Sequence, residues 1–191
     1  MGRKGRRVIP GAVLAGGRSA RMGRTKALVE FDGVPLAMLV ARALLDAGCS
    51  PVVLVGNVAG LSQLGLPVVR DPDDLPRHPL TGVLAACSLG RQVLTAPCDL
   101  PGLTVEDVRA LLAPGEPAEA FSRGRRQPLL GVVSAASAAL LRDAIRAERS
   151  ALDALVGRQR VRIADRACVN INTPSELAML AIQEARRHEE P

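Results

Sequence analysis

The residue types best suited to chemistry gather in two short stretches, LAGGRSARMGRTK at 14–26 and TAPCDLPGLT at 95–104. In the first, Gly16 and Gly17 let the backbone reach positive φ and approach a ligand closely, so that successive N–H groups converge on phosphate oxygens. Arg18, Arg21, Arg24 and Lys26 set cations beside them. A unit charge pair at 4 Å is worth about 1 kcal/mol in water but roughly 4 kcal/mol at an effective dielectric of 20, so a shielded loop of this composition suits a polyphosphate. Taken alone, the glycine pair also reads as a solvated turn. The string is not a GxxxxGK[ST] loop, because two residues separate Lys26 from Gly23, and no GxGxxG fingerprint is present.

In the second stretch Asp99 stands between Pro97 and Pro101. Prolines fix φ, so the turn presents this carboxylate rigidly. One such carboxylate is enough for Mg²⁺, which takes its remaining oxygens from substrate phosphates and water. By itself the segment reads equally as a turn or helix-capping aspartate. A third acidic candidate is Asp71, at the start of DPDDLPRHPLTGV. A carboxylate there either accepts hydrogen bonds from the N–H groups of a ligand or is simply solvated. Asp73 or Asp74 takes the same role if the loop is registered differently.

These residues need strands and helices to position them. Strand-like stretches at Ala12–Ala15, Val52–Val55, Pro67–Arg70, Gln92–Thr95, Pro128–Val133 and Arg160–Ile163 alternate with segments of helical period, which predicts an α/β fold. Leu36, Leu39, Val40, Ala43, Leu44 and Ala47 recur at three- and four-residue steps ahead of Gly48, the pattern of a helix with one buried stripe and a glycine stop. Further helices are predicted over Gly82–Leu89, Val105–Leu112 and Ala135–Ala147, enough to cover both faces of a sheet. Thr173, Pro174 and Glu176 supply the cap, first-turn proline and acidic partner that open a last helix, running to about Arg187. The loops left over are Gly16–Lys26, Arg70–Thr81, Pro97–Gly102 and Ala113–Gln127. Ligands of open α/β sheets bind beyond the carboxyl ends of strands, where three of these loops lie.

Composition narrows the partners. The chain has 191 residues, which predicts one domain. No apolar run approaches the roughly 20 residues of a membrane span. The basic start MGRKGRRVIPG lacks the apolar region of a secretory signal, so the cytoplasm is the expected compartment. A net charge of +6 points to phosphate-bearing partners. With no Trp, no Tyr and two Phe, there is almost no platform for stacking single-stranded bases, which argues against an RNA reader. Cys49, Cys87, Cys98 and Cys168 are widely spaced, without a metal or redox motif, and are expected as buried thiols. No coiled-coil pattern is present, and a monomer is the default.

Together the motifs resemble the MobA-like nucleotidyltransferase family, and within it the guanylyl-transferring members, which carry LAGG where cytidylyl-transferring relatives tend to carry LAAG. Leu14, Ala15, Gly16 and Gly17, then RMGxxK, PCD and VNINTPSEL, follow the family's order over 14–177. Two positions depart from the pattern: Thr25 precedes the lysine where Asp is common, and His78 replaces the first glycine of a GPLxG-like segment, although Pro79, Leu80 and Gly82 remain.

The resemblance implies a single-domain, three-layer Rossmann-like sheet with helices on both faces, a nucleotide-binding half at about 8–110 and an acceptor half at about 111–187. It implies transfer of GMP from MgGTP to the terminal phosphate of molybdopterin, with Mg²⁺ as cofactor. Leu14, Ala15, Gly16, Gly17, Lys26, Asn57, Asp71, Gly82 and Asp99 would contact the nucleotide. Arg21, Lys26 and Asp99 would be catalytic, Asp99 would hold the metal, and Asn170 and Asn172 would orient the pterin. Alternate residues of an extended segment share one face, so both asparagines can reach one ligand; Asn172 also fits the turn before Thr173. Arg123, Arg125 and Arg126 read either as acceptor-phosphate ligands or as a solvated loop. His78 and His188 are assigned no ligand role. Molybdenum-insertion proteins or molybdoenzyme chaperones are the implied protein partners, with no nucleic acid and no membrane. The alternatives are a cytidylyl- or sugar-phosphate nucleotidyltransferase on the same fold and, more distantly, a basic nucleic-acid module.

Overall fold

A computed structural model describes residues 8–16, 25–171 and 176. Gly17, Arg18, Arg21 and Arg24 of the glycine-rich loop, together with Asn172, Thr173 and the remainder of the expected last helix, lie outside the described residues; Glu176, within that stretch, is helical.

The strands are β1 (Gly11–Leu14), β2 (Glu30–Phe31), β3 (Val34–Pro35), β4 (Val52–Val55), β5 (Val68–Val69), β6 (Gln92–Pro97), β7 (Ala118–Ser122), β8 (Arg125–Ser134) and β9 (Gln159–Arg162). The helices are α1 (Leu36–Asp46), α2 (Pro79–Ala86), α3 (Val105–Leu112), α4 (Ala138–Arg146) and the single turn α5 (Ala151–Ala154). Seven strands form one sheet in the order β5-β4-β1-β6-β8-β7-β9. β5, β4, β1 and β6 run parallel, β8 opposes both β6 and β7, and β9 is again parallel to β7. β2 and β3 make a separate small hairpin.

Alternation along each strand divides the interior into two cores, as a sheet covered on both faces requires. Val13, Val52, Leu54, Leu94, Ala96, Leu130 and Val132 face the helices α1 and α3. Ala12, Val53, Val55, Val93 and Val133 face α2 and α4. On α1 the buried residues are Leu36, Ala37, Val40, Ala41, Ala43 and Leu44; Leu39 of the predicted stripe is only half-buried, and Ala37 and Ala41 join the buried face. Gly48 follows at φ +95, the left-handed stop that glycine makes without a Cβ clash. Fully burying a side chain such as Leu44 contributes about 1.5–3 kcal/mol.

Three sequence expectations need correction. The predicted loop at Ala113–Gln127 contains β7 and the start of β8, joined by a tight turn at Arg123 (φ +51) and Gly124 (φ +71). Its strand character is masked by polar residues: Glu119 pairs with Arg126, Ser122 donates to Asp165, and Arg123 and Arg125 face water. α2 begins at Pro79 rather than Gly82, because the His78 ring Nδ1 accepts the Leu80 N–H at 3.2 Å and Pro79 occupies a position where no donor is needed. The helix predicted over Ala135–Ala147 opens with a 3-10 turn at Ala135–Ser137, tied by the Ser134 hydroxyl.

The β7–β8–β9 side rests on a buried charge cluster absent from the sequence expectations. Glu119 is 1% exposed and bonds Arg126 through Nε at 2.5 Å and Nη2 at 3.1 Å, and Arg158 through Nη2 at 3.1 Å. Arg126 also donates to the carbonyls of Leu152 and Leu155, and Arg158 to that of Pro128, so α5 and the β8 strand are held together by guanidinium forks. Of the three hairpin arginines, Arg126 is therefore a packing residue, while Arg123 and Arg125 are exposed.

Candidate active site

The carboxyl ends of β1, β4 and β6 meet at one edge of the sheet. Ala15 N–H donates to the Val55 carbonyl at 2.8 Å and Cys98 N–H to the Leu14 carbonyl at 3.1 Å, so the glycine-loop entrance, the VGN turn and the PCD turn are stitched rung to rung. This is the place beyond the strand ends where an α/β sheet offers backbone donors and side chains to a ligand.

Two side-chain groups stand there. In one, Lys26 Nζ lies 2.6 Å from Asp99 Oδ2, with only 13% and 15% of the two side chains exposed. Lys26 opens a 3-10 turn anchored by the fully buried Ala27, and Asp99 follows β6. The second Asp99 oxygen, Oδ1, is buried and has no hydrogen-bond partner. An anionic oxygen in that condition is costly unless a cation or donor joins it, and it suits a hard divalent ion. Among the described residues no group of three or more His, Cys, Asp or Glu gathers to hold a metal. A single carboxylate fits Mg²⁺, whose other ligands come from phosphates and water. Beside it the Cys98 thiol is pushed up to about 12, first by burial and then by the Asp99 charge.

In the other group, Asp71 is wedged against the ends of β1 and α2. A Cβ on Gly16 would stand 2.9 Å from Asp71 Oδ2, and one on Gly82 would lie 3.7 Å from Oδ1 and 3.2 Å from Leu14 Cδ2. Both positions thus leave room for the carboxylate. Gly56 (φ +151) crosses so close to Gly16 that a Cβ there would meet the Gly16 nitrogen at 2.8 Å. Asp71 Oδ1 is buried without a partner, and burial raises its carboxyl above the ordinary aspartate range.

Of the sequence candidates, Leu14, Ala15, Gly16, Gly82 and Asp71 are brought together, and Lys26 and Asp99 are paired. Asn57 is engaged with the backbone of Asp71: Asp71 N–H donates to Oδ1 at 3.1 Å, and Nδ2 donates to the Asp71 carbonyl at 3.2 Å. Asp74 instead pairs with Arg142 at the surface. Asn170 is exposed and precedes Ile171, whose N–H donates to the Asp99 carbonyl at 3.1 Å, so the extended segment runs past the Asp99 turn.

The expectations also missed a cavity of about 200 Å³ at the tip of the β7–β8 hairpin, lined by Phe121, Ser122, Arg123, Gly124, Arg162 and Asp165. Asp165 accepts from the Ser122 hydroxyl at 2.9 Å and the Arg123 N–H at 3.1 Å, bonds that hold its carboxyl below the ordinary aspartate range. Only the pairing of β7 with β9 brings these segments together, and no local motif announces it.

Known proteins are similar to this chain in sequence and in fold. The molybdenum cofactor guanylyltransferase of Rhodobacter capsulatus is 34% identical over 188 residues, covering 89% of this chain and 93% of that protein. The protein of the same name from Cupriavidus metallidurans is 41% identical over 108 residues, covering 54% of this chain; in that match the chain spans about half the relative's length, 53%. In fold, the chain is similar to the crystal structure of the molybdopterin-guanine dinucleotide biosynthesis protein A from Archaeoglobus fulgidus, with a TM-score of 0.76 at 21% identity, over 93% of this chain and 100% of that one. The model of the MobA-like NTP transferase domain matches residues 11–163. A match that runs from the start of β1 to the end of β9, the whole breadth of the sheet, places this chain in the MobA-like NTP transferase domain family.

Proposed function

We propose that the chain transfers GMP from MgGTP to the terminal phosphate of molybdopterin, forming the guanine dinucleotide and pyrophosphate. The observation that carries this reading is the placement of a shielded Lys26–Asp99 pair and a separate, unpartnered Asp71 carboxylate on one sheet edge. The first group has the charges for a metal-bound triphosphate; the second has the acceptors for a guanine edge.

In this reading an acceptor phosphate oxygen forms a bond to the α phosphorus while the bond from that phosphorus to the bridging oxygen breaks and pyrophosphate leaves. The nucleophile is already anionic, so no side chain needs to remove a proton from it. The difficulty is bringing anions together and holding the charge of the leaving group, a task for positioned cations and donors. Lys26 holds the β and γ phosphates with the amides of the loop at Gly16 and Gly17, and Arg21 adds a second cation. Asp99 would hold Mg²⁺, which would supply positive charge to offset that of the leaving pyrophosphate. Asp71 accepts from the base, Gly82 and Leu14 form its floor, and Asn170 with Asn172 orients the pterin. The cytoplasm is the proposed compartment, and molybdenum-insertion proteins or molybdoenzyme chaperones are the proposed protein partners. Among the described residues, no helix is long and apolar enough to cross a membrane.

The test is turnover of the purified chain with Mg²⁺, molybdopterin and either GTP or CTP, with the dinucleotide identified by mass. A guanine product with pyrophosphate supports the reading. A cytosine product assigns the sister activity, and no product with either nucleotide directs attention to sugar-phosphate acceptors.

A further inference from the structure

The sheet ends at β9, and among the described residues no strand pairs with its outer side. Gln159 and Ile163 donate their N–H groups inward, to the carbonyls of Pro117 and Phe121. Strand alternation then turns the peptide groups of Arg160 and Arg162 outward, away from β7. Their side chains are both exposed and share one face of the sheet. The Arg160 guanidinium lies over the Phe121 ring, 5.7 Å from its centroid, which holds that charge at the edge. Arg162 and Arg123 line the cavity at the tip of the β7–β8 hairpin. The nearby carboxylates are already engaged: Glu119 is buried with Arg126 and Arg158, and Asp165 accepts from the Ser122 hydroxyl and the Arg123 N–H. Among the described residues, none of Arg123, Arg125 and Arg162 forms a salt bridge.

An open edge is a template for another strand, and the charges along it select which strand is admitted. A second copy of this basic edge would set arginine against arginine. A strand with carboxylates at alternate positions would instead set them directly opposite Arg160 and Arg162, within cross-strand reach. We propose that the outer edge of β9 docks an extended acidic segment of a partner protein, which adds as an eighth strand with alternate carboxylates against Arg160 and Arg162 and its end beside Arg123. The proposal is independent of which nucleotide the chain uses.

The probe is a fluorescein-labelled octapeptide of alternating Glu and Thr, titrated into the full chain and followed by anisotropy. Thermal melting of each variant checks that it is folded. The peptide should bind, and Arg123→Glu/Arg162→Glu should weaken it by about 10-fold or more, because like charges then face each other. Arg123→Lys/Arg162→Lys, which keeps both charges, should bind the peptide far more tightly than the charge-reversed pair. On binding, the Arg160 and Arg162 N–H groups should gain protection from hydrogen exchange. Two further peptides carry N-methyl groups on alternate amides, one in each register; only the one whose methyls face β9 should lose affinity. Absence of binding, or unchanged affinity in Arg123→Glu/Arg162→Glu, overturns the proposal. Equal affinity of both methylated peptides, or no gain of protection at Arg160 and Arg162, overturns strand addition. Full displacement by inorganic phosphate at matched concentration makes this a small-anion site, and equal protection by a random DNA duplex makes it a nucleic-acid surface; either result overturns the acidic segment as occupant. Arg160 and Arg162 N–H groups already protected in the chain alone show an edge that is covered without a partner, which also overturns it.

Discussion

The Lys26 ammonium and the Asp99 carboxylate, 73 positions apart in the chain, meet at 2.6 Å at the carboxyl edge of the sheet. The contact ties the far end of the glycine-rich loop to the turn after β6, the strand that pairs with β1. Shielding from water makes such a pair stronger than an exposed one and makes each partner costly to leave alone. The cation proposed for the phosphates and the carboxylate proposed for the metal are thereby set side by side before substrate arrives.

Asp99→Asn preserves the shape of the turn but removes the charge proposed to hold Mg²⁺. Turnover should fall to background, and the melting temperature should fall by several degrees as the shielded ion pair is lost, with a cooperative melt showing that the chain remains folded. Lys26→Gln should weaken MgGTP binding by about 1.5–3 kcal/mol, the usual worth of a hydrogen bond to a charged group. Calorimetric titration checks the second value, and an unchanged affinity would take Lys26 off the triphosphate.

Gly16→Ala places a Cβ 2.9 Å from Asp71 Oδ2, closer than real contacts of this kind come. Either the carboxylate or the loop must shift, at about 1–3 kcal/mol, as in other overpacked sites. GTP affinity should fall more than that of ITP, which lacks the exocyclic amine, since the displaced group is the one assigned to the base edge. Parallel titrations with both nucleotides measure the difference.

Asp71 links function to pH-dependent stability. Burial raises its carboxyl pKa above the ordinary value of 3.8, so the folded protein holds this proton more tightly than the unfolded chain. Its favourable contribution is present below pH 3.8 and disappears as the pH rises through the folded value, leaving a buried charge as a net cost at neutral pH. Asp71→Asn should therefore melt above the parent protein at pH 7 and lose that advantage as the pH approaches 3.8, while its preference for guanine falls. Melting curves across this range test the sign, and a variant less stable at pH 7 would contradict it.

Glu119→Ala leaves the Arg126 and Arg158 guanidinium groups near one another without their shared carboxylate. Burial already lowers the Arg158 pKa to about 10, the mark of a charge held in a poor solvent. Removing one partner from a buried ion cluster costs about 3–5 kcal/mol. The urea midpoint should shift accordingly, and nucleotide binding at the opposite half of the sheet should change little.

Local patterns were sufficient for several features. The α1 stripe, for the most part, the helix at Val105–Leu112 and the strand–helix alternation follow from neighbours within a few residues, because helix period is a local property. Family likeness was legible too, since it rests on the order of short motifs.

What required the folded chain was every relation between distant segments. That Lys26 pairs with Asp99, that Gly16 and Gly82 leave space for Asp71, and that Asn57 bonds the Asp71 backbone depend on which strands lie side by side. The predicted loop at Ala113–Gln127 became β7 and part of β8 because Glu119 finds arginines across the sheet, a pairing with no trace in the local hydrophobic pattern. Sequence alone determined which groups are available for phosphate chemistry and which stretches favour helix or strand, through short-range sterics and periodicity. Tertiary structure decided which of those groups touch, because contact and burial depend on strand order and register, and these are settled by packing across the whole sheet.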